Sequence, residues 1–335
     1  MAVFTSVTLD EVNAWLQKNY QIGIASEIKG ISSGIENSNF FLTMHMDGVQ
    51  KEFVLTLFER LSKEQLPYYL ELMEHLSKKG VKVPAPIRDN AHQIVGGLNG
   101  KPATIVSKLS GKSFLNPSVR HCELVGDALA KMHLAGLDFH LSQANLRSID
   151  WWQNTVPLVT PHLNTAQGQL IQSELAAQIN FFNSAEYKSL PSGPSHCDLF
   201  RDNVLFDEVC GEDELGGFFD FYFAGNDKWL FDLAVTINDW CIDLTTGEID
   251  QARYTGMLEK YQAVRSFEPA EFDSWNMMLR AAALRFWVSR LWDCHLPREA
   301  KMLTPHDPTH FERILTSRRE VSSNIPHNSV KYATK

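Results

Sequence analysis

Between positions 195 and 223 the chain collects the side chains that phosphoryl transfer to an alcohol needs. Ser195-His196-Cys197-Asp198-Leu199-Phe200-Arg201-Asp202-Asn203-Val204-Leu205-Phe206 sets a carboxylate, Asp198, ahead of an amide, Asn203, and Gly217-Phe218-Phe219-Asp220-Phe221 adds a second carboxylate. A carboxylate beside a hydroxyl can take its proton as the oxygen attacks phosphorus. Magnesium takes hard oxygen ligands and is held by one or two protein groups together with phosphates and water. Asn203 and Asp220 supply that number. The intervening residues let a loop present Asp198 while Asn203, at the start of the following strand, turns toward the phosphates, and Asp220 is expected on a second short strand. His196 is read as holding this loop through hydrogen bonds rather than moving protons. An isolated H-x-D pair is common by chance; the full order of acids and amide is much less so.

Elements that could position these residues are legible around them. Thr8 or Ser6 can cap a helix over Leu9 to Lys18 whose stripe of Val12, Trp15 and Leu16 implies docking on a sheet. From Ile22 to Phe58 the pattern becomes strand, turn-rich stretch, strand, Asp47-Gly48 turn and strand, an antiparallel arrangement. A helix is expected over Ser62 to Lys79, ending at Gly80, and strands over His92 to Val95 and Ala103 to Val106. Beyond a boundary near Leu109 to Lys112 helical periodicity dominates, as in Ser118 to Ala135, Gln167 to Asn183 and the largely apolar Phe272 to Asp293. Short apolar runs at Asn203 to Phe206 and Gly217 to Phe223 interrupt it. The expected class is α+β, with a small antiparallel-sheet N-terminal lobe, 1–110, and a larger helical C-terminal lobe, 111–335.

Composition removes several function classes. The chain has 335 residues, more than one hydrophobic core usually serves, so two lobes are the natural expectation. Lys plus Arg total 31 against 40 Asp plus Glu, a net charge of -9 without a basic run, which argues against nucleic acid as a partner. The opening segment carries Asp10 and Glu11 and lacks signal-peptide character, and Arg280, Arg285 and Arg290 interrupt the most apolar late segment, so a cytoplasmic protein without a membrane partner is expected. Five scattered cysteines give neither a disulfide framework nor a zinc site, and Cys197 is read as a small filler of its loop. His133 and the Trp151-Trp152 pair are read as packing.

H-x-D-x-x-x-x-N is also the catalytic-loop spacing of kinases. In the first lobe, Gly30-Ile31-Ser32-Ser33-Gly34-Ile35-Glu36-Asn37-Ser38-Asn39 could form a hairpin whose backbone N–H groups cover ATP phosphates, with Ser33, Gly34, Asn37 and Asn39 as nucleotide-binding candidates. The glycine spacing does not match G-x-G-x-x-G, and only the downstream motif favours the nucleotide reading over a plain surface hairpin. Val106 and Lys108, in the stretch leading to Leu109, are candidates for gripping adenine. In sequence order these elements resemble the aminoglycoside-phosphotransferase superfamily, with its two-lobed protein-kinase-like fold, from about Ile28 to Phe311. Trp229-Leu230-Phe231-Asp232-Leu233-Ala234 is similar to the D-L-A segment that opens a helix there, with Asp232 expected to cap that helix and bond the catalytic loop. Phe53-Val54-Leu55-Thr56-Leu57-Phe58-Glu59 and Asn238-Asp239-Trp240-Cys241, together with the Gly34 and His196 segments, resemble the homoserine kinases of this type.

That resemblance implies ATP and Mg2+ as cofactors and L-homoserine as acceptor, on the route to threonine. A zwitterionic acceptor needs a cation and an acid near Asp198. Arg285 or Arg290 is a candidate for its carboxylate, and Asp202, Asp239 or Asp243 for its ammonium, with structural salt bridges as the competing explanation for each. One departure from the kinase pattern stands out. Where a phosphate-binding lysine is expected on the third strand the chain has Thr56, which leaves that role to another cation, Lys51 or Arg60 being near in sequence, and leaves its partner acid, Glu71 or Glu74, open. The rival readings are a kinase for an aminoglycoside, choline or another amino alcohol, and a nucleotide-binding pseudokinase acting as an interaction module.

Overall fold

The computed structural model describes residues 4–31, 37–46, 48–296 and 306–326. By their internal contacts the residues fall into two compact units, Met1–Gly111 with Gly216–Phe221, and Lys112–Leu215 with Tyr222–Lys335. The return of 216–221 to the first unit has no counterpart in the sequence pattern.

In the first unit, α1 (Leu9–Asn19) opens on a capping box in which Thr8 and Glu11 satisfy each other's backbone N–H groups. It is followed by β1 (Ala25–Gly30), β2 (Asn37–Met46), β3 (Val49–Phe58), α2 (Pro67–Lys78), β4 (Gly96–Leu98) and β5 (Lys101–Ser107). The strands form one antiparallel sheet in the order β1-β2-β3-β5-β4. Alternation along β3 sends Phe53, Leu55 and Leu57 to the face where Val12, Trp15 and Leu16 of α1 dock, with Phe40, Leu42 and Met44 of β2 and Ala103 and Ile105 of β5 completing the core. Thr56 and its cross-strand neighbours Asn39 and Thr104 take the opposite face.

Two expectations for this unit need correction. The helix starts at Pro67, not Ser62, because proline has no N–H to give to an earlier carbonyl and is tolerated only in a first turn. The late hairpin is tighter than the expected strands at His92 to Val95 and Ala103 to Val106. Leu98 pairs with Lys101 across Asn99-Gly100, whose φ values of 50° and 76° are those of a primed two-residue turn, while His92 lies outside the ladder at φ 59°.

The second unit contains α3 (Val119–Ala135), α4 (Ile149–Val159), α5 (Thr165–Asn183), α6 (Ala185–Ser189), β6 (Ser192–Ser195), β7 (Val204–Val209), β8 (Glu212–Phe218, whose end crosses to the first unit), β9 (Gly225–Lys228), α7 (Trp229–Trp240), α8 (Gln251–Val264), α9 (Pro269–His295) and α10 (Thr309–Glu320). β6 pairs with β9, and β7 with β8. α3 packs on α8, while α9 runs against α7, α10 and α4. Every residue of α7 is buried, and α9 buries Trp275, Met278, Leu279, Ala281, Leu284 and Trp287 around its circumference, as a central helix must. The architecture is the expected α+β, a small antiparallel-sheet unit followed by a larger helical one. Among the described residues no helix is long and apolar enough to cross a membrane.

Candidate active site

The segment from His196 to Asn203 leaves β6 and enters β7 through a 3-10 turn over Arg201–Asn203. Asn203 therefore precedes the strand rather than beginning it. Cys197 takes φ 62°, a left-handed conformation that non-glycine residues adopt only when their surroundings enforce it. The enforcement comes from Asp232 on α7. Its carboxylate, fully buried, accepts the backbone N–H of His196 at 2.7 Å and of Cys197 at 2.7 Å, so two consecutive loop amides are pinned to one anion. Asp232 does not cap α7: that N-cap is Lys228, without a side-chain hydrogen bond. His196 is itself wholly buried, and its backbone N–H gives the loop this anchor. The Cys197 thiol is pushed up by burial, which suits a packed filler.

A buried polar chain stands behind Asp232. His133 of α3 lies 3.0 Å from the carboxylate through Nε2 and 2.8 Å from the Tyr261 hydroxyl through Nδ1, with its ring stacked on Trp229. Burial lowers the His133 pKa in spite of Asp232, so the ring is neutral. An ionised carboxylate only accepts, hence Nε2 carries the proton and Nδ1 accepts from the Tyr261 O–H. Burial alone would raise the Asp232 carboxyl, but the hydrogen bond from His133 and the loop contacts outweigh it and hold it below its ordinary value. Arg265 donates to the Tyr261 oxygen and makes a two-pronged pair with Glu271 at 2.8 and 3.0 Å. Packing was the expectation for His133; its link to the loop, and the roles of Tyr261, Arg265 and Glu271, are invisible in the sequence because Tyr261 lies 128 positions from His133 and the other two lie further still.

At the other end of the loop, Asn203 donates Nδ2 to the backbone oxygen of Asp198 at 2.9 Å. With its nitrogen committed, the Asn203 amide has its oxygen left to offer, the hard donor that magnesium prefers. Asp239 accepts the Arg201 backbone N–H at 2.8 Å and Nε at 3.0 Å, while Arg201 Nη1 reaches Leu115 O at 2.8 Å and Nη2 bonds the backbone oxygen of Asp239. Both bonds to the Asp239 carboxylate go to Oδ2, which makes Asp239 an anchor of the loop. Asp243 is an exposed turn residue that accepts the backbone N–H groups of Thr245 and Thr246. Arg285 is buried, with Nη1 at 3.9 Å from Asp198 Oδ1 and its guanidinium 3.7 Å above the Phe286 ring. Burial lowers its pKa to about 10 and lowers that of Arg290, in both cases against the opposing field of Asp198. Asp202 keeps an open face to solvent, yet enough protein surrounds it that burial, and then Asp239, push its carboxyl up.

In the first unit, Asp220 lies beyond the end of β8 in a left-handed conformation, φ 67°, and not on a strand. Gly217, at φ 143°, makes that segment's approach possible, since a Cβ there would stand 2.6 Å from Lys82 O. Asn37 and Asn39 lie on β2, and Asn39 Oδ1 accepts the Thr56 hydroxyl at 2.8 Å. Thr56, in place of a lysine, thus forms a neutral cross-strand pair. Val106 lies on β5 beside Val54, and Lys108 bonds Glu52 at 2.7 Å with its ammonium over the Phe41 ring. Ser33 and Gly34 lie outside the described residues. Glu74 is taken by Arg88 through two 2.8 Å bonds, with Glu71 3.4 Å from the same guanidinium, and the Arg88 hydrogen bond holds the Glu74 carboxyl at about 2. Both acids weighed as partners of a third-strand lysine are paired with Arg88, which sequence reasoning missed.

The model of the phosphotransferase enzyme family matches residues 27–267. The chain is 60% identical over 324 residues to a homoserine kinase of Cupriavidus pinatubonensis, covering 97% of this chain and 98% of that one. To a homoserine kinase of Cupriavidus metallidurans it is 58% identical over 327 residues, 97% and 99% of the two chains. Among solved structures, a choline kinase from Cryptosporidium parvum superposes with a TM-score of 0.65 at 11% identity, covering 93% and 96%, a likeness of fold.

Proposed function

The chain belongs to the phosphotransferase enzyme family, and on that premise we propose how its residues carry the reaction. The activity is ATP-dependent transfer of the γ-phosphate to the side-chain hydroxyl of L-homoserine, giving O-phospho-L-homoserine. Asp198 accepts the hydroxyl proton as the new oxygen–phosphorus bond forms and the bond to ADP breaks. Arg285, 3.9 Å away, orients that carboxylate. Asn203, through its amide oxygen, and Asp220 are the magnesium ligands; when bound, the ion neutralises charge on the transferring phosphates. Asn37, Asn39, Val106 and Lys108, with Ser33 and Gly34, are assigned to the nucleotide. His196 acts through the loop geometry rather than on the reacting atoms.

The observation that supports this reading most is the double anchoring of the Asp198 loop. Asp232 fixes the amides before the carboxylate and Asp239 fixes Arg201 after it, so Asp198 is held between two buried anions. A base held this way needs little reorganisation at the moment of reaction. The test is ADP release with ATP and Mg2+ against a panel of hydroxyl acceptors. L-homoserine is expected to be turned over far faster than choline or an aminoglycoside, and equal rates for all would contradict the assignment.

A further inference from the structure

The arginines of α9 are not alike. Arg280 is engaged structurally, with Nε and Nη2 bonding the buried Glu174 carboxylate at 2.6–3.1 Å. Arg285 and Arg290 are left open: among the described residues neither guanidinium makes a hydrogen bond, although Arg285 is only 3% exposed and Arg290 is partly buried. Arg285 sits 3.7 Å over the Phe286 ring, which is backed in turn by Phe200 and Phe311, with Asp198 Oδ1 3.9 Å from its Nη1. Arg290 feels Asp198, Asp202 and Asp239, but among the described residues no carboxylate is within ion-pair distance of it, and Asp239 already serves Arg201. Among the described residues the Asp202 carboxylate likewise has no cation within ion-pair reach. A guanidinium withdrawn from water without hydrogen bonds is a cost to the fold, relieved when an anion arrives beside it. Arg285 has the Asp198 carboxylate at 3.9 Å, whereas Arg290 and Asp202, which feel each other's field, are a cation and an acid left without an ion pair among the described residues, the two charges an α-amino acid requires.

Resting on the assignment of homoserine as acceptor, we propose that the site recognises its acceptor as a zwitterion: Arg290, flanked by Arg285, binds the α-carboxylate, and Asp202 binds the ammonium group. The two-methylene arm of L-homoserine then carries the hydroxyl away from the charged end toward Asp198. Amino alcohols lacking the carboxylate leave the Arg290 guanidinium unpaired and are rejected for that reason. A site built to pair a charged group discriminates against an analogue lacking it by far more than shape alone allows.

The experiment compares kcat/KM for L-homoserine, 3-amino-1-propanol, which lacks the carboxylate, and 4-hydroxybutyrate, which lacks the ammonium, in the parent and in Arg290→Met, Arg290→Lys and Asp202→Asn. The parent is expected to prefer L-homoserine over each analogue by about 10²-fold or more. Arg290→Met should collapse the preference over 3-amino-1-propanol by at least about tenfold and keep that over 4-hydroxybutyrate, Arg290→Lys should fall between, and Asp202→Asn should do the reverse. A merely structural role scales all substrates together, and that result overturns the proposal, as does a parent without preference. If Arg290→Met does not fold, Arg290→Lys and Asp202→Asn carry the same comparison. A parent that phosphorylates none of these compounds would instead sink the homoserine reading itself.

Discussion

Replacing Asp232 with asparagine keeps the shape of the side chain and removes its charge, and the hydrogen-bond geometry around it determines the outcome. Asp232 Oδ2 accepts from His196 N–H and His133 Nε2, and Oδ1 accepts from Cys197 N–H. An asparagine must put its NH2 group at one of these places. At the Oδ1 place it faces the Cys197 N–H, donor against donor. At the Oδ2 place His133 can adapt by moving its proton to Nδ1 and donating to Tyr261, but the His196 N–H still meets a donor. Either way one fully buried loop amide loses its acceptor, and the remaining hydrogen bonds lose their charge assistance. Charge-assisted bonds contribute roughly 1.5–3 kcal/mol and a stranded buried donor costs roughly 1–3 kcal/mol, so Asp232→Asn should destabilise the loop by about 3–5 kcal/mol. By hydrogen–deuterium exchange the amides of His196 and Cys197 should lose at least about a hundredfold of protection, since 1.4 kcal/mol is a factor of ten. The turnover number should fall with little change in ATP affinity. Unchanged protection at both amides would refute the tether.

Removing Asp239 with alanine leaves the buried Arg201 guanidinium without its carboxylate and should cost about 3–5 kcal/mol in a urea titration, more than Arg201→Met. At the crossing of α3 and α8, a Cβ added to Gly126 would collide with the backbone oxygen of Met257, so Gly126→Ala should destabilise by about 1–3 kcal/mol, where alanine in an open helix position would stabilise. Burial lowers the pKa of His310 from 6.5 to about 4, with Arg313, Arg201 and Arg290 adding to it. The unfolded chain therefore takes up a proton that the folded one refuses, and stability is lost as pH falls from 6.5 toward 4. Burial also lowers His133, which acts in the same direction, while burial raises Asp227 to about 6, whose contribution fades as pH rises toward that value. Thermal melts between pH 7 and about 4 should show the loss, and His310→Gln should make it shallower.

The parts of this protein that were legible in sequence are those written locally. The α1 stripe of Val12, Trp15 and Leu16, the antiparallel run through β2 and β3, and the loop that joins Asp198 to Asn203 depend on neighbours a few positions apart. Boundaries failed where a single residue overrode the periodicity, at Pro67 and at Asn99-Gly100. At the site, spacing named the chemical groups but could not tell an occupied charge from an open one. Asp239 and Asp202 look equivalent as sequence, and only coordinates show Arg201 wrapped around the former. Arg280 and Arg290 are separated in the same way, by Glu174 lying more than a hundred positions from its partner. The loss of a lysine at Thr56 was visible; the pairing of Thr56 with Asn39, and of Arg88 with Glu71 and Glu74, was not, because each pair is made by sheet register or by a loop folding back on a helix.

Phosphorus NMR of ATP, Mg2+ and L-homoserine with the purified protein, beside Asp198→Asn, tests the central assignment most directly. The parent should build O-phospho-L-homoserine in step with ADP, and the asparagine variant should bind ATP as before while forming the phosphoester about 10²–10⁴-fold more slowly. A variant that makes the product within a factor of about two of the parent rate, or a parent that makes none, would contradict Asp198 as the base of this phosphotransfer.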